Sequence, residues 1–313
     1  MDTESLQLPI IDLGSSDRIS TAHSIRQACM EYGFFYLINH GVEEDLLHEV
    51  LEGNRKFFTL PLEEKMKLAL KKNRGYSPVY AENLDPSSTF KGDSKEFLYI
   101  GPLEDVTPHG DLNQWPPEGI FVKLDSLLCC LFWLYYLRSA GKRLIPLVAL
   151  ALNLDENFFY DIGALNQPNG FLRLLHYPGD LGPSDEEIYG ASAHSDFGMI
   201  TLLATDGVGG LQVCRDKTVE PQVWKDLHSV PGALIVNIGD LMERWTNCLF
   251  RSTLHRVMPT GQERYSMAFF LDPNPDCVVE CLKTWRSESS PPRFPAIRCG
   301  DYLKERFKLI YGS

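Results

Sequence analysis

The residues of this 313-residue chain whose types and spacing could do chemistry are His194, Asp196 and His255. In His194-Ser195-Asp196 the imidazole and the carboxylate stand two apart. On a β-strand such side chains share a face, so both can reach one ion. A second strand would bring His255 across to them. Two imidazoles and one carboxylate on one face of an octahedron make the facial triad of non-haem Fe(II), which leaves open positions for substrate and O2. By itself the pattern carries little weight, because an H-x-D with a distant histidine arises often for ordinary structural reasons.

Arg264 and Ser266 repeat the two-apart spacing soon after His255, at the head of the apolar run Met267-Ala268-Phe269-Phe270. A guanidinium fork beside a hydroxyl is suited to a bidentate grip on a carboxylate. Taken singly, such an arginine more often sits in a surface salt bridge and such a serine in solvent. Facing inward on an apolar strand, however, an arginine is costly without an anionic partner. Metal triad and carboxylate anchor together describe a site for iron and a 2-oxo acid.

These groups need a β scaffold, and the second half of the chain offers one. From about residue 170, FLRLLHY, MITLLAT, GLQV, ALIVNIG, STLHRV and SMAFFL are short β-rich runs separated by Gly, Pro, Asp and Asn. That pattern predicts an antiparallel sandwich or barrel. The first hundred residues alternate instead. Ser20-Thr21 is expected to cap a helix that Gly33 ends, and FFYLINH to form a buried strand. A further helix is expected over 43–58, and Pro61 should start another through PLEEKMKLAL. No linker-like composition divides the chain, so helical and β parts are expected to form one unit.

Composition narrows the partners. The chain carries 30 Lys+Arg against 42 Asp+Glu, a net charge of −12, which disfavours nucleic acid and anionic membranes. The eight cysteines contain no CxxC pair and read as reduced, mostly buried thiols. No basic residue precedes Arg18, so no secretory or transit signal is read and the cytoplasm is the expected compartment. The apolar run Leu127–Leu137 (LLCCLFWLYYL) falls short of the roughly 20 residues a membrane span needs and reads as a buried helix or a misplaced stretch.

With these residues in view, the sequence resembles the plant 2-oxoglutarate- and iron(II)-dependent dioxygenases, in the superfamily similar to isopenicillin N synthase. The matching text includes ACMEYGFFYLINHGV, KFFTLPLEEKMKLAL, GDSKEFLYIG, LRLLHYPG, AHSDFGMITLLATDGVGGLQV, LIVNIGDLMERWTN, STLHRV and ERYSMAFFLDPN. The resemblance implies a mostly β fold with flanking helices: a distorted double-stranded β-helix, or jelly roll, after a helical N-terminal region. It divides the chain into residues 1–118, an atypical apolar segment 119–142, and a catalytic region 143–313, within one continuous unit. It implies that His194, Asp196 and His255 ligate Fe(II), and that Arg264, Ser266 and Tyr177 bind 2-oxoglutarate. Phe270 matches a position that often faces the substrate, and a plain core aromatic is an equal expectation there. Asn237 and Asp240 read as structural support. The implied reaction takes 2-oxoglutarate and O2 to succinate and CO2 while a small organic molecule is hydroxylated or demethylated, in a monomer. An iron oxidase without 2-oxoglutarate, or a silent binding protein on the same scaffold, are the alternatives. Because Asp196 is a carboxylate, no site remains for halide.

The sequence departs from the family pattern at four places. Leu175 stands where many plant members have asparagine, and Cys248 where glycine is usual at a turn. Pro146 falls in a stretch that should be helical. Over 119–140 the chain is apolar nearly all round, where an amphipathic helix is expected; a surface helix of that kind would expose a large patch. A membrane- or partner-facing element, a substrate-shaping element and an aberrant splice or gene-model product are the three accounts, the last being preferred.

Overall fold

Runs of branched and aromatic residues broken by turn formers give short strands, which must pair sheet against sheet to bury one face. The computed structural model describes residues 5–85, 92–102, 106–107, 110–111, 113–114, 125–166, 169–180 and 188–311. Its first strands are β1 (Ile10–Asp12), β2 (Phe34–Ile38), β3 (Gly75–Ser77), β4 (Glu96–Ile100), β5 (Val106–Thr107) and β6 (Gly110–Asp111). There follow β7 (Asn169–Tyr177), β8 (Ala191–His194), β9 (Ile200–Thr205), β10 (Leu211–Cys214) and β11 (Trp224–Asp226). The last are β12 (Leu234–Ile238), β13 (Leu254–Val257), β14 (Arg264–Asp272), β15 (Val278–Val279) and β16 (Ile297–Arg298). The helices are α1 (Arg18–Glu31), α2 (Glu44–Phe58), α3 (Leu62–Met66), α4 (Asp125–Ala151), α5 (Phe158–Asp161), α6 (Asp240–Trp245) and α7 (Cys299–Tyr311).

A large sheet runs β1-β2-β12-β9-β14-β7-β4-β3 and a small one β11-β10-β13-β8. Their inner faces meet in an apolar cluster that joins Tyr36, Phe97 and Ala268 of the large sheet to Leu211, Val213 and Val257 of the small one. The outer face of the large sheet carries a bigger core with α1, α2 and α4. This is the expected jelly roll with flanking helices, and β1 to β4 of the N-terminal part are hydrogen-bonded into its large sheet.

Two helix ends differ from expectation. Asp17, not Ser20-Thr21, caps α1: its carboxylate accepts the Ser20 N–H at 3.0 Å, satisfying a donor that the first turn leaves free. Gly33 does end the region, with φ +69°, and a Cβ there would lie 2.3 Å from the Arg251 carbonyl oxygen. The helix after Pro61 stops at Met66, because Ala69 and Lys71 turn into bridges with Tyr76 and Arg74.

The atypical segment falls partly outside the described residues, which exclude 119–124 and the side chains of 125–134. Beyond them, Tyr135 is 68% exposed, while Leu137, Ala140, Leu144, Ile145 and Val148 are fully buried. There α4 packs against α1, α2 and β14. In this stretch the helix is one-sided, with Tyr135, Ser139, Lys142 and Arg143 facing solvent and the buried residues on the opposite face, so it is amphipathic and exposes no large apolar patch. Gly141 permits the approach: a Cβ would stand 2.8 Å from Leu271 Cδ2 on β14. Pro146 lies inside α4 and does not end it. The carbonyl it leaves unpaired, four residues back on Lys142, belongs to an exposed residue that water can reach. No described helix is long and apolar enough to cross a membrane.

The six cysteines with described side chains are free thiols, all buried except the half-buried Cys248; Cys129 and Cys130 lie outside them. Cys248 adopts φ +68° directly after Asn247 at +53°. The turn thus demands the left-handed conformation that glycine adopts without strain. Cys248→Gly should stabilise the protein by roughly 0.5–1 kcal/mol in chemical denaturation. An unchanged or lower midpoint would mean that the thiol's packing outweighs the strain.

Candidate metal centre and co-substrate cavity

Register brings the triad together. His194 ends β8 and stands directly opposite His255 on β13, with ring centroids 4.3 Å apart. Asp196 follows in the turn after β8, and its Oδ1 lies 3.9 Å from His194 Nε2 and 3.7 Å from His255 Nε2. All three ligand atoms fall within 4.8 Å of one another, the one such group among the described residues.

Outer contacts aim these atoms. His194 Nδ1 donates to the Ser192 carbonyl at 2.7 Å and His255 Nδ1 to that of Thr253 at 3.2 Å, which leaves each Nε2 lone pair facing inward. Asp196 Oδ2 accepts from Thr201 Oγ1 at 2.5 Å and Asn237 Nδ2 at 2.7 Å, so Oδ1 remains for a metal. Burial, with the charge of His255, pushes His194 down to about 3. Burial would raise Asp196, but His255, His194 and the two hydrogen bonds hold it below the usual carboxylate range. At neutral pH His194 is therefore a neutral imidazole and Asp196 a carboxylate, the forms a divalent cation binds. Asn237→Ala or Thr201→Val should weaken iron binding roughly 10- to 100-fold while leaving the fold intact. Metal titration followed by circular dichroism checks both halves, and undiminished affinity would remove the two from any orienting role.

Arg264 and Ser266 share the inner face of β14. Arg264 is 3% exposed; it donates to Ser266 Oγ at 3.1 Å and its Cζ stands 4.9 Å from the Tyr177 ring. Tyr177 lies beside it in register on β7, and Leu175 beside Ser266. Arg264 Nε has no hydrogen-bond partner. Among the described residues no carboxylate lies within ion-pair reach of this guanidinium. A buried, uncompensated cation is unstable by several kcal/mol unless an anion joins it.

Triad and arginine open on one cavity of about 590 Å³ between the sheets, lined also by Lys95, Arg173 and Phe270. A second chamber of about 510 Å³ adjoins it on the far side of His194 and Asp196. Phe270, half-buried, lies between the two, and Leu303, Phe307 and Ile310 of α7 wall the second. Asp240 does serve as support: it accepts from Ser252 Oγ at 2.6 Å and from the Tyr302 hydroxyl at 2.8 Å. Thr201 and Lys95 are cavity residues that sequence reasoning missed: Thr201 is a lone hydroxyl in an apolar run, and Lys95 is one charge within the polar run Asp93-Ser94-Lys95-Glu96.

Asp272, at the end of β14, is buried against Gly198 and its Oδ1 has no partner. Burial, with the charge of Asp196, raises its carboxyl to about 7. A raised folded-state value means stability present at low pH and lost as pH rises from about 4 to 7. The metal-free Asp272→Asn variant should therefore gain on the parent across that window, by a few kcal/mol at pH 7. Parallel urea titrations at several pH values measure this; a gap independent of pH would contradict it.

Comparison with known proteins agrees with this geometry. Residues 8–118 match the profile described as non-haem dioxygenase in morphine synthesis N-terminal, and residues 168–273 that of the 2OG-Fe(II) oxygenase superfamily. Kihadalactone A synthase LFS of Citrus sinensis is 40% identical, over 97% of this chain and 92% of that protein. Azadirone synthase LFS of Melia azedarach is 37% identical, over 98% and 93%. A Neurospora crassa protein solved in complex with alpha-KG and thymine superposes with TM-score 0.82 at 30% identity over 98% of each chain. JOX2, solved with 2OG, Fe and JA, gives 0.81 at 29% identity, over 97% and 86%. The chain belongs to the 2OG-Fe(II) oxygenase superfamily. It is an enzyme that uses Fe(II), 2-oxoglutarate and O2 to oxidise a small molecule.

Proposed function

We propose that His194, Asp196 and His255 hold Fe(II), that Arg264, Ser266 and Tyr177 hold 2-oxoglutarate, and that the chain hydroxylates a largely apolar small molecule seated in the second chamber. The buried, uncompensated Arg264 on the cavity of the triad carries this reading, since it asks for a dianion that reaches the metal. The donor set suits Fe(II), which when bound supplies the oxidising chemistry.

The chain's own residues bind and orient. The Arg264 fork and Ser266 hydroxyl fix the far carboxylate, which sets the depth of the 2-oxo group. His194 and Asp196, which line both chambers, would hold the metal where the co-substrate and substrate chambers meet. The aromatic and aliphatic wall of Tyr99, Phe197, Phe270 and α7 holds an apolar body and keeps water from the oxidant. Arg173, the cation of this chamber, is engaged by Glu82 at 3.3 Å, which favours a neutral substrate over a carboxylate. The balance is substrate C–H, O2 and 2-oxoglutarate to alcohol, succinate and CO2. Where the oxidised carbon bears a heteroatom, the alcohol collapses to demethylation. Kihadalactone A synthase and azadirone synthase motivate a plant-metabolite panel.

The test is succinate formation. Iron-dependent production of succinate from 2-oxoglutarate, stimulated by the true substrate with equal consumption of O2, is the expected result. Substrate oxidation without succinate would overturn the proposal in favour of an oxidase.

A further inference from the structure

Strands β14, β7 and β4 are neighbours in the large sheet. Arg264 pairs with Tyr177, and Glu96 with His176. Lys95, one residue before β4, therefore continues the row Arg264–Tyr177–Lys95, and the next row on that face reads Ser266–Leu175–Phe97. The ends of the row lie two strand spacings apart, roughly 10 Å, a span that lysine and arginine side chains can close from opposite sides.

Lys95 is 2% exposed and lines the cavity that holds Arg264, Tyr177 and the triad. Asp93 Oδ2 receives its ammonium at 2.5 Å and Glu82 Oε2 at 2.9 Å. An ammonium has three N–H groups, and these acids are its only acceptors among the described residues. Burial pulls toward the neutral amine, but Glu82 and Asp93 outweigh it and keep Lys95 charged. Two of its donors are thus tethered and the third is left for the cavity. The middle strand of the next row meanwhile carries Leu175, where the family pattern has an amide.

We propose that Lys95 is a further donor to the far carboxylate of 2-oxoglutarate, making the polar contact that Leu175 lacks. This rests on the assignment of Arg264 and Ser266 as the anchor of that carboxylate. A purely structural Lys95 would act elsewhere. Asp93 also accepts from Ser192 N at 2.9 Å and Ser192 Oγ at 2.6 Å, and the Ser192 carbonyl orients His194. Such a role would be felt at the metal, whatever the far end of the co-substrate.

The experiment uses that difference. Anaerobic Fe(II)-loaded parent, Lys95→Met and Arg264→Met are titrated with 2-oxoglutarate and with 2-oxopentanoate, which chelates iron alike but ends in a methyl group. Dissociation constants come from the visible charge-transfer absorbance. Lys95→Met should weaken 2-oxoglutarate roughly 10- to 100-fold and leave 2-oxopentanoate within about twofold. Equal weakening of both ligands, or of neither, would overturn the proposal. Undiminished 2-oxoglutarate affinity in Arg264→Met would instead overturn the anchor itself. Because Lys95→Met takes the ammonium away from two buried carboxylates, the same comparison is made in a Glu82→Gln, Asp93→Asn background if the single variant does not fold.

Discussion

Asp196→Ala should leave a folded protein that neither retains iron nor turns over 2-oxoglutarate. The carboxylate contributes the only negative charge among the three donors, and its Oδ1 is the atom both Nε2 atoms face at 3.7–3.9 Å. Without it, two imidazoles remain, too few and without a negative charge to hold a divalent ion against water. The fold has less to lose. Thr201 Oγ1 and Asn237 Nδ2 would each lose an acceptor, at about 1–3 kcal/mol apiece, partly offset by the removal of a buried charge. Iron content after desalting, with circular dichroism alongside, measures both. Iron retained at parental stoichiometry in the variant would mean that the ion sits elsewhere.

Arg264→Met should move affinity and stability in opposite directions. Two charge-assisted hydrogen bonds to the far carboxylate disappear, so 2-oxoglutarate binding should weaken roughly 10²–10⁴-fold. The ligand-free variant should nevertheless be at least as stable as the parent, by about 1–4 kcal/mol, because a buried cation without a counter-charge gives way to an apolar side chain of similar length. The parent should regain stability when 2-oxoglutarate and metal are added, and the variant should not. Thermal unfolding with and without ligand reads all of this. A variant that is destabilised in the absence of ligand would show that Arg264 is held by protein groups and not waiting for an anion.

Much of this site is legible in the sequence because it is periodic. The two-apart spacing of Arg264 with Ser266 survives folding because both lie on β14, and that of His194 with Asp196 survives although Asp196 lies two residues beyond the end of β8. Tyr177 required more, namely the pairing of β7 with β14, which no local pattern specifies. The orienting partner Thr201 lies on yet another strand and is one hydroxyl among leucines. Lys95 reads in isolation as a solvated charge before a strand; only the neighbouring acids Asp93 and Glu82 turn it inward.

The helical part follows the same division. Where a cap competed with a neighbour, Asp17 displaced Ser20 because its side chain reaches the Ser20 N–H from outside the helix. From Tyr135 on, α4 keeps the amphipathic pattern of a surface helix, with Ser139, Lys142 and Arg143 outward and its buried face on α1, α2 and β14. Cys248 shows the converse. A family pattern with glycine pointed to a left-handed turn, and the backbone keeps that turn even with a side chain in place.

The most direct measurement is the anaerobic absorption spectrum of the purified chain with Fe(II) as 2-oxoglutarate is added. A 2-oxo acid that chelates iron held by His194, Asp196 and His255 gives a visible metal-to-ligand charge-transfer band. The account predicts that band in the parent, saturating with one equivalent of metal, and its loss in Asp196→Ala. A folded, iron-loaded parent that develops no band, or a band unchanged in Asp196→Ala, would contradict it.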